Sequence, residues 1–231
     1  MADLHCKDLC MTFRDPMSGS KIEALKDIEF DLKHGEILTV LGPSGCGKTT
    51  LSKIIMRALT PDSGSVRFYD GDTPIDVLGL NNTEMFDFRK KMQIIFQDPF
   101  SSLNPRMTVF DIIREPLIIH GVGDDDYQIE LIKELMKLVG LDPRFLSRYP
   151  HSFSGGQRQR IGIARALALR PDVIICDEPV SALDVSIQAQ ILNLLKDLQR
   201  ELNLTYLFVS HNLAVVDYIA DRISVMCNGK L

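Results

Sequence analysis

"ILTVLGPSGCGKTT", residues 37–50, decides how the rest of the chain is read. Its first six residues form a short, continuous, β-branched apolar run, the pattern of a strand covered on both faces in a parallel sheet. Gly42 to Thr49 then fits G-x-x-x-x-G-K-S/T. After Lys48, the apolar residues Leu51, Ile54, Ile55, Ala58 and Leu59 predict one face of a helix that "TPDSG" stops. A strand that runs through a glycine-rich loop into a helix is the context this pattern needs. The glycines let successive N–H groups converge on an anion. Gly42, Pro43, Ser44, Gly45, Cys46, Gly47, Lys48, Thr49 and Thr50 are therefore the candidate nucleotide cradle, with Lys48 reaching the β- and γ-phosphates and the Thr49 hydroxyl ligating Mg²⁺. The bland alternative, a glycine-rich turn that binds nothing, has no use for the acid found downstream.

Three more apolar runs match the first: "QIIFQ" (93–97), "DVIICDE" (172–178) and "TYLFVSH" (205–211). Ile187, Ile191, Leu194, Leu195, Leu198 and Leu202 mark a helix between the last two. Strand alternating with helix implies an α/β fold with crossover connections and a mostly parallel sheet core. The first thirty-odd residues and Ser65–Tyr69 read as shorter antiparallel strands, an N-terminal β subdomain. Residues 98–155 read as an inserted helical subdomain, in which "IELIKELMKLVG" is the clearest helix and Gly140 ends it. No repeat or linker divides the chain, so residues 1–231 are expected to be one domain.

Each strand run ends on chemistry. Asp177 closes a buried run and suits the magnesium hydration shell, and Glu178 beside it is a candidate general base for an attacking water. Gln97 and His211 end two others. Open α/β sheets gather ligands at the carboxyl ends of their strands, so the cradle, Gln97, Asp177, Glu178 and His211 are expected to converge on one crevice. Singly, a glutamine or histidine there would more often be structural; four such ends reverse that reading.

"SFSGGQRQRIGIARALALRP" (152–171) poses a second question. Ser154 and Gln157 form an S-x-x-Q capping box, and Ile161, Ala164, Leu167 and Ala168 give the stripe of a helix from about residue 155. Gly155 and Gly156 leave its N–H groups open to a phosphate. Each glycine weakens a helix by roughly 0.5–1 kcal/mol relative to alanine, so something is expected to offset them.

The remaining features set bounds. A net charge of −5 with no Lys/Arg block gives no footprint for nucleic acid. The longest apolar runs, "VIIC" and "YLFV", are far shorter than the roughly 20 residues a spanning helix needs. The charged start "MADLHCKDLC" does not read as a secretion signal, so a cytoplasmic chain is expected. Five cysteines, an odd number, argue against a disulfide framework, and Cys6 and Cys10 have no nearby His or Cys cluster. Cys176 reads as a core residue, and Asp124–Asp126 as a helix cap rather than a metal site. "RISVMCNGKL" reaches an Asn-Gly turn where a returning strand is expected next, which suggests that the natural chain continues.

"FSGGQRQR", followed by "VIICDEPVSALD" and His211, resembles the nucleotide-binding domain of ATP-binding cassette (ABC) ATPases over essentially the whole chain. Phe153 stands where that family usually has Leu, a conservative departure. The resemblance implies a P-loop NTPase of the ABC-ATPase fold that binds ATP and Mg²⁺. It further implies a head-to-tail dimer with a second ABC ATPase subunit, in which Ser154, Gly155, Gly156 and Gln157 of one copy face the γ-phosphate held by the cradle of the other. By the same resemblance Phe13 stacks on adenine, and Ser181, Ala182, Leu183 and Asp184 touch the partner. His211 contacts the γ-phosphate, and Gln97 joins Thr49 and Asp177 around the metal and senses water. "FQDPFSSLNPRMTVFDIIREPL" and "YPHSFSGGQRQRIGIARALALRP" are similar, more narrowly, to the ATPases of the oligopeptide, dipeptide and nickel import group. This implies a peripheral subunit on the cytoplasmic face of the cell membrane. Its partners would be membrane permease subunits beside the Gln97 segment and, indirectly, a solute-binding protein; a longer C-terminal tail is usual in the group. A non-transport ABC ATPase acting on nucleic acid or a metabolic complex is the alternative, disfavoured by the acidic charge and the lack of a coiled-coil insertion or a tandem cassette. A generic P-loop kinase or GTPase lacks N-K-x-D and leaves "FSGGQ" without purpose.

Overall fold

Two long strands open the chain in the computed structural model, which describes residues 2–14, 19–71, 73–98 and 100–231. β1 (Ala2–Arg14) and β2 (Lys21–Lys33) pair antiparallel, with Cys6 opposite Phe30 and Phe13 opposite Ile22. They are thirteen residues each, not the short strands expected. Register shifts between Cys6 and Leu9 and between Leu9 and Met11 interrupt the alternation, so the sequence pattern breaks although the strand does not. Leu4, Cys6 and Leu9 of β1 and Leu25, Ile28 and Leu32 of β2 are buried.

β3 (Ile37–Leu41) leads through the glycine loop into α1 (Lys48–Ile55). Leu51, Ile54 and Ile55 are fully buried as expected, but the helix stops before Ala58 and Leu59. Arg57 takes a left-handed backbone, φ 50°, and the helix ends at Ile55, four residues before Leu59. β4 (Ser63–Asp70) and β5 (Thr73–Asp76) complete an antiparallel sheet of order β2-β1-β4-β5. α2 (Asn82–Phe88) then carries the chain out of this unit, which comprises Met1–Phe86 and Asn203–Leu231.

The second unit, Asp87–Leu202, begins with β6 (Met92–Ile95). Three helices follow: α3 (Val109–Ile119), α4 (Asp125–Leu138) and α5 (Gly155–Leu167). β7 (Val173–Asp177) pairs parallel with β6, Ile95 opposite Cys176, and every β7 residue is buried. α6 (Val185–Leu202) closes the unit. Asp124 caps α4 by accepting from Tyr127 N, Asp125 and Asp126 lie in its first turn, and Gly140 turns away at φ 71°. That is the capping role expected of the acidic run. Cys176 is buried, and burial pushes its thiol pKa upward. α5 packs on α3, α4, β6 and α6, making it the hub of this unit.

The chain returns to the first unit with β8 (Thr205–Ser210), α7 (Leu213–Ile219) and β9 (Arg222–Val225). β8 and β9 both run parallel to β3, with Leu38 opposite Leu207 on one side and Arg222 on the other. Arg222 donates to both carboxylate oxygens of Glu36 and to Asp31 O, while Ile37 N donates to Asp221, so β9 is pinned where β3 begins. After Asn228 and Gly229 the chain makes only an isolated bridge, Cys227 with Lys230. No helix among the described residues is long and apolar enough to cross a membrane.

Candidate nucleotide site

In the first unit, β3 and β8 end side by side, Leu41 opposite Ser210, with Gly42 N donating to Ser210 O at 3.2 Å. The cradle and His211 therefore leave neighbouring parallel strands at their carboxyl ends. Gly47 is the N-cap of α1 at φ 113°, and no side chain caps the helix. A Cβ on Gly47 would lie 2.4 Å from Ala24 O, and one on Gly42 would lie 2.3 Å from Met226 O. Both positions thus require glycine because backbone comes too close. Gly45, at φ 78°, has nothing within 4 Å of that point and faces open space. Lys48 is 4% exposed, and its ammonium donates to Gly42 O at 2.8 Å and Pro43 O at 2.9 Å. The charge is thereby held on the loop's own carbonyls. Pro43, Ser44 and Thr49 are exposed, Cys46 is buried, and Thr50 is half-buried.

In the second unit, Asp177 ends β7 and is 7% exposed. Glu178 follows at φ 49°, ahead of Pro179. A residue before proline is normally extended, and a left-handed non-glycine costs of order 1–2 kcal/mol. Such strain persists only where the surroundings hold it. Gln97, two residues beyond β6, donates from Nε2 to Glu178 Oε2 at 3.3 Å. The parallel pairing of β6 and β7 brings these two strand ends together, as the alternation of runs implied. The backbone strain at Glu178 had no sequence signal beyond the proline.

The N-terminus of α5 carries the expected capping box in full. Gln157 N donates to Ser154 Oγ at 3.4 Å, and Ser154 N donates to Gln157 Oε1 at 3.0 Å. The glycines, however, have a packing role that the sequence did not reveal. A Cβ on Gly156 would lie 2.4 Å from Ile187 Cγ2 of α6, and one on Gly155 would lie 3.2 Å from Leu183 Cδ2 and 3.7 Å from the Phe100 ring. Close approach of two helices offsets the helix weakening; an open anion site is not needed to explain it. Ser181 Oγ donates to Glu178 O at 3.1 Å, and Asp184 caps α6 by accepting from Ile187 N at 3.0 Å. Ala182 is exposed and Leu183 half-buried, so the Ser181–Asp184 turn links the strained glutamate to the helix that packs on α5. Phe13, 37% exposed near the end of β1, and His211, also exposed, offer an aromatic face and an imidazole to solvent.

The Gly42–Thr49 loop, the buried Asp177 with Glu178 beside it and the capped Gly-Gly helix are the features that carry the resemblance to ATP-binding cassette ATPases. Residues 25–181 match the ABC transporter family, and the chain belongs to it. Among solved structures it is similar to the ATP-binding cassette MJ0796 in a dimeric post-hydrolysis state bound to ADP and Pi. That likeness has a TM-score of 0.85 and 32% identity, covering 99% of this chain and 96% of that one. A second is cbiO1 of Clostridium perfringens, part of the ABC transporter complex cbiONQ, at TM-score 0.84 and 28% identity over 99% and 86%. Among curated proteins it is 52% identical to the oligopeptide transport ATP-binding protein OppF of Bacillus subtilis, over 99% of this chain and 73% of that protein. It is 51% identical to AppF of the same organism, likewise an oligopeptide transport ATP-binding protein, over 91% and 63%. The chain thus spans about two thirds of the length of such relatives.

Proposed function

We propose that this chain is the ATP-hydrolysing subunit of an ABC importer for peptides, acting on the cytoplasmic face of the cell membrane as a single ABC ATPase domain. The relatives named above support peptides as the solute class; a nickel importer of the same group is the nearest variant. The subunit pairs head to tail with a second ABC ATPase subunit, so that Ser154–Gln157 of one copy faces the γ-phosphate held by Gly42–Thr50 of the other. Lys48 binds the β- and γ-phosphates, Phe13 stacks on adenine, and His211 meets the γ-phosphate. Thr49, Gln97 and Asp177 supply hard oxygen donors of the kind that magnesium selects, which fits a Mg²⁺ site. Magnesium, when bound, neutralises charge on the phosphates. Glu178 takes a proton from water as the water oxygen bonds to the γ-phosphorus and the bond to ADP breaks, with Gln97 orienting the carboxylate. Loss of the γ-phosphate removes the bridge between copies and lets them part.

Permease subunits, and through them a solute-binding protein, are the further partners, with the permease docking beside the Gln97 segment. Support comes from apolar side chains exposed there, Phe96, Phe100, Ile118 and Ile119, of which Phe96 and Ile119 line a cavity of about 240 Å³. One observation carries the hydrolytic reading: Glu178, held at φ 49° after a buried aspartate, meets Gln97. Replacing Glu178 with Gln keeps size and hydrogen bonding but removes the base. ATP binding is expected to persist while turnover falls by about 10²-fold or more. Turnover at the normal rate, measured by phosphate release, would remove Glu178 from the role.

A further inference from the structure

α5 does more than present Ser154. Three of its side chains reach the loop of residues 96–102, which contains Gln97. Gln159, 2% exposed, donates from Nε2 to Phe96 O at 3.5 Å, just before Gln97. Arg165, one helical heptad beyond Arg158, donates from Nη1 to Ser102 O at 2.7 Å, at the far end of the loop. Between them, the Arg158 guanidinium lies over the Phe100 ring at 4.3 Å, while its Nε donates to Phe153 O at 3.0 Å. The loop is folded within itself by Asp98, which accepts from Phe100 N at 2.8 Å and, through its carbonyl, from Ser102 N at 3.1 Å. The described residues of the loop are thus gripped on both sides of Gln97.

Packing does not explain that grip. The cavity of about 240 Å³ is lined by Phe96 and Ser102 of the loop and by Glu115, Ile119 and Arg165, so part of the loop has space rather than core behind it. Where packing is absent, hydrogen bonds from a fixed helix set the position of the backbone. A guanidinium withdrawn from water is costly unless it is hydrogen-bonded, and here its bond goes to the loop. Burial draws the Arg165 pKa down, and the neighbouring Glu115 charge works against that.

We propose that Arg165 and Gln159 are positioning residues for hydrolysis: they hold both flanks of Gln97, and thereby fix where Gln97 meets Glu178, on the same helix whose first turn faces the partner's nucleotide. A displacement of α5 caused by contact at Ser154 is passed directly to the Gln97–Glu178 hydrogen bond. The proposal rests on the reading of Gln97 and Glu178 given above.

The test is a double-mutant cycle on the assembled full-length importer, reading kcat and KM for ATP. Arg165→Met, which keeps length but removes the donors, is expected to lower kcat about tenfold with KM changed by less than about twofold. Arg165→Lys, which restores a donor, is expected to recover most of the loss. In a Gln97→Ala background, Arg165→Met is expected to cost less than about twofold more, because its effect runs through Gln97. An equal loss in both backgrounds, or no loss in either, overturns the proposal. If Arg165→Met does not assemble, Gln159→Leu is read through the same cycle by the same criteria. Glu178→Gln is measured beside them. Its full turnover would overturn the base assignment, whereas the cycle between Arg165 and Gln97 decides the positioning role whatever Glu178 does.

Discussion

The two glycine-bearing helix starts, at α1 and at α5, look alike in sequence and are built on opposite principles. At α1 the glycines answer to backbone: Gly47 is left-handed, Gly42 and Gly47 lie against carbonyl oxygens, and no side chain caps the helix. At α5 the cap is complete, made by Ser154 and Gln157, and Gly156 answers to a side chain, Ile187 of the neighbouring helix. The first is a loop whose glycines are fixed by backbone contact and whose helix end has no side-chain cap. The second is a helix end already satisfied by its own residues and fixed in place by packing. Under the proposed function, the first kind suits holding a phosphate and the second suits meeting a nucleotide held by another copy.

The largest effect should fall on the first. Gly47→Ala sets a Cβ against Ala24 O in a left-handed backbone, and is expected to destabilise the unit by about 2 kcal/mol or more and to abolish ATP binding. Gly45→Ala, in open space, is expected to cost only about 1 kcal/mol. Thermal unfolding and nucleotide titration compare the two, and equal losses would mean that close approach is not what demands glycine. Next comes Gly156→Ala, expected to cost about 1–3 kcal/mol through the Ile187 methyl. Adding Ile187→Ala leaves the nearest Ile187 atom at 3.7 Å, an ordinary contact, and is expected to remove that clash. If the pair is no better than the sum of its parts, Gly156 is not held by packing. Ser154→Ala should have an effect as small as that of Gly45→Ala, about 1 kcal/mol of stability from the lost cap. Unfolding of the variant without that loss would show the box to be idle.

Much of this was legible in the chain itself. The four apolar runs became β3, β6, β7 and β8, displaced by at most two residues at either end, because strands buried on both faces carry their signal in every residue. The cap at Ser154 and the stop at Gly140 were equally local. β1 and β2 were harder to read, since their register shifts scramble the alternation on which recognition depends. β5, which includes Pro74 and lies at the sheet edge, buries too little to leave a pattern. The end of α1 was missed because Arg57 adopts a backbone that its side chain does not advertise.

The sequence alone determined the family, the fold class and the parallel strands with their helix caps, because glycine spacing, capping pairs and buried runs are properties of neighbouring residues. Only the tertiary structure decided that Gly156 belongs to Ile187, that Glu178 is strained toward Gln97, and that Arg165 and Gln159 grip the loop between them. Those facts join residues dozens of positions apart. They arise from where packed helices and parallel strands place side chains, which no local pattern records.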